Sequence, residues 1–140
     1  MTYRLPCDCG KVMLIARGAP AARAICHCHA CRDLYGSIVL AATAWPAEQV
    51  ERSGNDAVLE YQHPTLQMRR ISCRHCGEIV HGINRLGYLI IPNARFTKHH
   101  HGVMPKELMP AMHLFYESRV FDIDDPLPKY LQGWDGERYN

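Results

Sequence analysis

Cys73-Arg74-His75-Cys76-Gly77 is the stretch on which the fold turns. Two thiols with two residues between them, and a glycine to release the turn, have the spacing of a zinc knuckle. A second pair, Cys7-Asp8-Cys9-Gly10, stands near the N-terminus. In an extended segment residues i and i+2 project to one face, so both of its sulfurs can meet one ion. Two pairs supply four thiolates, a closed tetrahedral shell with no position left for a substrate. Cys7, Cys9, Cys73 and Cys76 are therefore read as ligands of a structural zinc. The ion would close the long loop between the two pairs, which a β-rich chain must otherwise close by packing.

The remaining cysteines lie in Cys26-His27-Cys28-His29-Ala30-Cys31. Cys26 and Cys28 share a face by alternation, and Cys31 follows in C-x-x-C spacing. Three thiolates from one short segment leave the fourth position open, the mark of a catalytic zinc. This makes two zinc ions per chain. Sulfur donates electron density generously, so water on such an ion is a weaker acid than on a three-histidine zinc. The site suits an incoming thiol that attacks a small carbonyl better than it suits hydrolysis.

Other polar residues read differently. Alternation places His27 and His29 opposite the cysteines, where each bonds a neighbouring strand, acts as a proton shuttle or ligates the metal directly. Ser37 or a histidine would orient the substrate. Arg32 bonds backbone or receives a substrate carboxylate. His99-His100-His101 reads as an exposed loop, His113 as a satisfied core histidine and His63 as a turn residue before Pro64.

The chain has 140 residues, 47% hydrophobic and 21% charged, as expected of one globular domain. Its net charge of +2 comes from 16 basic and 14 acidic residues without a basic stripe, which argues against a nucleic-acid partner. No apolar run approaches the roughly 18 residues of a membrane span. Cys7 and Cys9 interrupt any signal peptide. Seven cysteines cannot all pair, which fits a reducing, cytoplasmic setting.

Short apolar runs between turn signals predict a mainly β chain. Strands are expected at 11–17, 37–43, 57–61, 66–72, 78–83, 88–91 and 112–116. Short helical turns are expected at 31–35, 46–50 and 105–109. Residues 1–131 form the single domain in this reading, and 132–140 a C-terminal tail that Trp134 could anchor.

The order C-x-C-G, C-H-C-x-x-C-R, G-S and C-x-x-C-G is carried by Cys7–Gly10, Cys26–Arg32, Gly36-Ser37 and Cys73–Gly77. It resembles the glutathione-dependent formaldehyde-activating family, which includes the centromere protein V group. Met112–Arg119 and Asp124–Tyr130 are similar to that family's closing segment. The resemblance implies several small coiled β-sheets around a structural zinc, with short helical turns, and the same partition of cysteines. It also implies a carbon–sulfur lyase activity that joins formaldehyde to glutathione, giving S-hydroxymethylglutathione, with a small thiol such as glutathione as partner. His29 and Glu78 depart from the family pattern, which often has serine and a small hydroxyl residue there. The 92–102 stretch departs further. It is expected to border the substrate pocket and to move the substrate away from glutathione plus formaldehyde. The competing reading is a non-catalytic, zinc-stabilised protein-binding module.

Overall fold

A computed structural model describes all residues from 1 to 140. The chain folds into two sheets. Strands β1 (Thr2–Pro6), β2 (Met13–Arg17) and β5 (Val50–Ser53) make an antiparallel sheet in the order β1-β2-β5. The larger sheet holds β3 (Ala22–Cys26), β4 (Leu40–Trp45), β6 (Val58–Gln62), β7 (Arg69–Cys73), β8 (Ile79–Ile83), β9 (Leu89–Pro92) and β10 (Met112–Leu114). Its order is β10-β3-β4-β9-β8-β7-β6, antiparallel except where β10 lies parallel to β3. Two short helices complete it, α1 (His29–Tyr35) and α2 (Asn93–Lys98). The mainly β expectation holds.

Alternation along β4 divides the two faces of the large sheet. Thr43 and Trp45 turn into the main core, which Leu5, Leu14, Ile91 and Phe96 also fill. Each fully buried aliphatic side chain of this kind stabilises the fold by about 1.5–3 kcal/mol. Trp45 keeps its indole satisfied by donating Nε1–H to Thr43 Oγ1 at 2.7 Å. Cys7 and Cys73 belong to the same core. Ala42 and Ala44 fall on the other face, where β3 opposes them with Ala24 and Ala22.

Helix α1 begins where the β3 chain direction breaks. Cys28 is its N-cap, in extended conformation, and its Sγ accepts from Cys31 N–H at 3.3 Å. The helix buries Ala30, Cys31 and Leu34. It ends at Gly36 with φ 65°, a left-handed position suited to glycine, whose N–H donates to Arg32 O. The turn through Ser37 that follows is why β4 starts at Leu40 and not at 37.

Four elements differ from the expected set. β1 ends in proline, which only an edge strand tolerates, and β3 is alanine-rich, so neither sequence signals a strand. β5 follows a 3-10 turn without an apolar run. No element is expected in the 92–102 stretch, and its first part is helix α2, with Arg95 and Phe96 buried. Beyond β10, the chain bonds back on itself. Phe115 N–H donates to Gln132 O, and Tyr139 N–H to Lys129 O. The Tyr139 ring packs edge-on to Tyr116.

Candidate metal centres and an adjoining cavity

The four-cysteine group forms where the β1–β2 turn meets the β7–β8 turn. The sulfurs of Cys7, Cys9, Cys73 and Cys76 all lie within 4.8 Å of one another. Cys7 and Cys9 are 3.7 Å apart and Cys9 and Cys73 3.6 Å. Sulfurs on a tetrahedral ion with bonds of about 2.3 Å stand roughly 3.8 Å apart, so the donor set fits such an ion. Backbone N–H groups point at the sulfurs, from Val12 to Cys7 at 3.3 Å and from His75 to Cys73 at 3.4 Å. These donors favour thiolate, and the pKa values of Cys7 and Cys73 are lowered, although burial opposes the shift at Cys7. Gly77, at φ 79°, lets the turn close behind Cys76.

Glu78 braces this group. Its Oε1 accepts from Asp8 N–H at 2.8 Å, and Lys98 Nζ bridges its Oε2 (2.9 Å) and Asp8 Oδ1 (2.5 Å). Arg95, buried beside it, donates to the carbonyls of Val80, Leu5 and Pro6. The departure at position 78 thus ties the two cysteine turns together. Glu78→Ala is expected to weaken metal retention by tenfold or more. Competition with a chromogenic chelator reads that change, and unchanged retention would show the brace to be idle.

The three-cysteine group sits where β3 passes into α1. The sulfurs of Cys26, Cys28 and Cys31 lie within 4.8 Å of one another, with Cys26 and Cys31 3.4 Å apart, and no fourth ligand joins them. Three thiols this close cannot all ionise unaided. Hydrogen bonds from the Cys26 and Cys31 thiols, with backbone N–H groups at the start of α1, hold Cys28 down to about 3. Cys26 is pushed up to about 12, first by its contact with Cys28, and Cys31 is raised by the other two. A divalent ion would release the remaining protons, as its binding to thiols ordinarily does.

The histidines divide. His27 is fully buried, with its Nε2 2.9 Å from His113 Nδ1, and His113 Nε2 lies 2.8 Å from Asp125 Oδ2. With His113 Nε2–H donating to the carboxylate, its Nδ1 must accept from His27, which leaves His27 Nδ1 buried without a partner. Burial, then the nearby His113, Arg119 and Arg32, lower the His27 pKa to about 4 and keep it neutral. The hydrogen-bonding reading of His27 and the core reading of His113 therefore hold. His29 does not alternate with Cys28, because it opens α1. Arg32 donates to its Nδ1 at 2.7 Å, and to the carbonyls of His27 (2.8 Å) and Ser118 (2.7 Å). Arg32 is thus a backbone latch. Ser37 donates to Val39 O and does not face the cysteines' cavity.

That cavity, about 400 Å³ in volume, is lined by 23 residues, 16 of them hydrophobic. Cys26, Cys28, Cys31 and His29 line it, and none of the other four cysteines does. The 92–102 stretch contributes nothing to it, contrary to expectation. His99 and Lys98 instead reach Pro6, Asp8 and Glu78, beside the four-cysteine group. The walls come from residues 66–68, from the β8–β9 turn at 84–86, and from Leu114, Phe115 and Trp134. His63 holds the first of these loops. It is buried, donates to Asp33 of α1 at 2.8 Å, and accepts Leu66 N–H at 3.1 Å on Nδ1. No sequence signal marked these residues as the walls of a cavity.

Residues 2–118 match the model of the family described as glutathione-dependent formaldehyde-activating enzyme. The chain belongs to the glutathione-dependent formaldehyde-activating enzyme family. Membership connects it with glutathione-related activation of formaldehyde in general. A crystal structure of a Rhodobacter sphaeroides protein shares the fold, with a TM-score of 0.53 and 23% identity. The match covers 77% of this chain and 98% of that one. No curated protein matches significantly. Within the formaldehyde-activating fold of this chain, no helix is long and apolar enough to cross a membrane.

Proposed function

We propose that the protein is a zinc-dependent, carbon–sulfur lyase-like enzyme that joins a small thiol to a small carbonyl compound and, in reverse, cleaves the adduct into thiol and carbonyl. One observation carries this reading: the three-sulfur group opens into the cavity, whereas the four-sulfur group does not touch it. Cys7, Cys9, Cys73 and Cys76 then hold a structural zinc, and Cys26, Cys28 and Cys31 a catalytic one. Zinc at the latter supplies a Lewis-acidic position that keeps a thiol ionised at neutral pH.

The chain's own residues do the rest. The cavity walls hold the carbonyl beside the attacking sulfur. A sulfur–carbon bond forms, the carbonyl π pair moves to oxygen, and the thiol proton ends on that oxygen. Arg32 Nη2 lies 2.7 Å from Nδ1 of His29 and 3.4 Å from Nε2 and so holds the ring at the cavity edge beside the three sulfurs, where it serves as a hydrogen-bond partner of the forming hydroxyl. His29→Phe is expected to lower kcat by about 100-fold while zinc content stays the same. Exchange NMR of hemithioacetal formation on zinc-loaded protein measures both the activity and this loss. If loaded protein gives no acceleration with any thiol and formaldehyde, the enzymatic reading falls. Unpaired thiols throughout fit the reducing cytoplasm proposed as its location.

A further inference from the structure

The cavity beside the three cysteines is chemically one-sided. Its floor is the face of the large sheet opposite the core. There Ala22 pairs with Ala44 and Ala24 with Ala42, so four methyl groups pave a trough where larger side chains would have filled it. Leu66, Leu86 and Trp134 stand on its walls with 41%, 63% and 40% of their surface exposed. These apolar groups are positioned to close over an apolar guest.

Charge on the lining is sparse. No Asp or Glu lines the cavity, and Arg85 is its one guanidinium. Arg85 is exposed on the β8–β9 turn. Register places that turn away from the sulfurs. Leu89, which follows it, pairs with Trp45 at one end of β4, whereas Cys26 pairs with Leu40 at the other. Those ends are ~17 Å apart at about 3.4 Å per residue. Sulfur chemistry and a single cation therefore occupy opposite ends of an apolar trough.

We infer that the thiol this site takes has an apolar chain ending in one carboxylate: sulfur at the cysteines, methylenes over the alanines, carboxylate at Arg85. The inference rests on the thiol reading of Cys26, Cys28 and Cys31. A tripeptide thiol such as glutathione fits poorly, because it brings two carboxylates and an ammonium. One carboxylate and the ammonium would enter the cavity without a charged partner.

Isothermal titration of the zinc-loaded protein with 8-mercaptooctanoate, octanoate and glutathione tests it. Binding of 8-mercaptooctanoate at least tenfold tighter than glutathione is expected, with octanoate weaker than its thiol analogue but still bound. Arg85→Gln should weaken both chain ligands about tenfold. Ala42→Leu, which fills the trough, should abolish their binding while zinc content and the thermal melt stay at wild-type values. Glutathione binding as tightly as 8-mercaptooctanoate would overturn the inference and leave the thiol reading intact. So would chain binding that Arg85→Gln leaves unchanged. Equal binding of octanoate and 8-mercaptooctanoate would support the chain pocket and remove the thiol role of the cysteines. If nothing binds, both ideas fail.

Discussion

Cys76→Ser is expected to unfold the protein at ordinary temperature. The four-cysteine group joins two turns far apart in the chain, and two of its members, Cys7 and Cys73, are part of the main core. Cys76 follows Cys73 around a turn closed by the Gly77 N–H donating to Cys73 O at 2.9 Å. Without the Cys76 thiolate the ion loses one of the two ligands that the β7–β8 turn supplies, and its hold on the two turns weakens. A structural zinc stabilises small metal-dependent folds by about 10 kcal/mol or more. The total stability of a domain is only about 5–15 kcal/mol, so loss of the ion decides the outcome. Far-UV circular dichroism and zinc analysis should show a chain without cooperative melting and with little bound metal. A variant that melts within a few degrees of the wild type would mean that the core, and not the ion, holds the two sheets together.

Cys31→Ser is expected to abolish thiol–carbonyl catalysis while leaving a folded chain, and to lower bound zinc from two ions to one. The segment around Cys31 is held without any metal. His27 N–H donates to Leu114 O at 3.0 Å, Arg32 ties the carbonyls of His27 and Ser118, and Asp33 accepts from His63. Leu34 is buried to anchor the same helix. These contacts keep α1 in place when its ligand is gone, so the melting temperature should fall far less than for Cys76→Ser. A loss of activity above 1,000-fold is expected when a group that holds a catalytic metal is removed. If Cys31→Ser unfolds the chain as completely as Cys76→Ser, the catalytic reading loses its basis and the zinc-stabilised protein-binding module becomes the better account.

How far the residues alone reached depends on the range of the interaction involved. Strands 13–17, 79–83 and 89–92 announce themselves through apolar runs between turns, because each is a local pattern. β3 does not, since Ala22 and Ala24 are poor strand formers held extended only by β4 and β10 on either side. α2 was missed because its polar sequence hides two residues, Arg95 and Phe96, whose burial depends on β1 and the core. Glu78 was readable as a departure from a pattern but not as a brace, because its partners Asp8 and Lys98 lie 70 and 20 residues away.

The sulfurs mark the same division. Their grouping into four and three was determined by the sequence itself, because a metal ion demands donors at short, countable spacings, and those spacings are visible in a string of letters. The fold brings both groups within ligating distance. Only the tertiary structure decided which group faces a cavity and what that cavity is made of. Its alanine floor, its loop held by His63 and its lone Arg85 come from segments distant in the chain. Spacing encodes what can bind an ion. The surface that surrounds the ion is a property of packing.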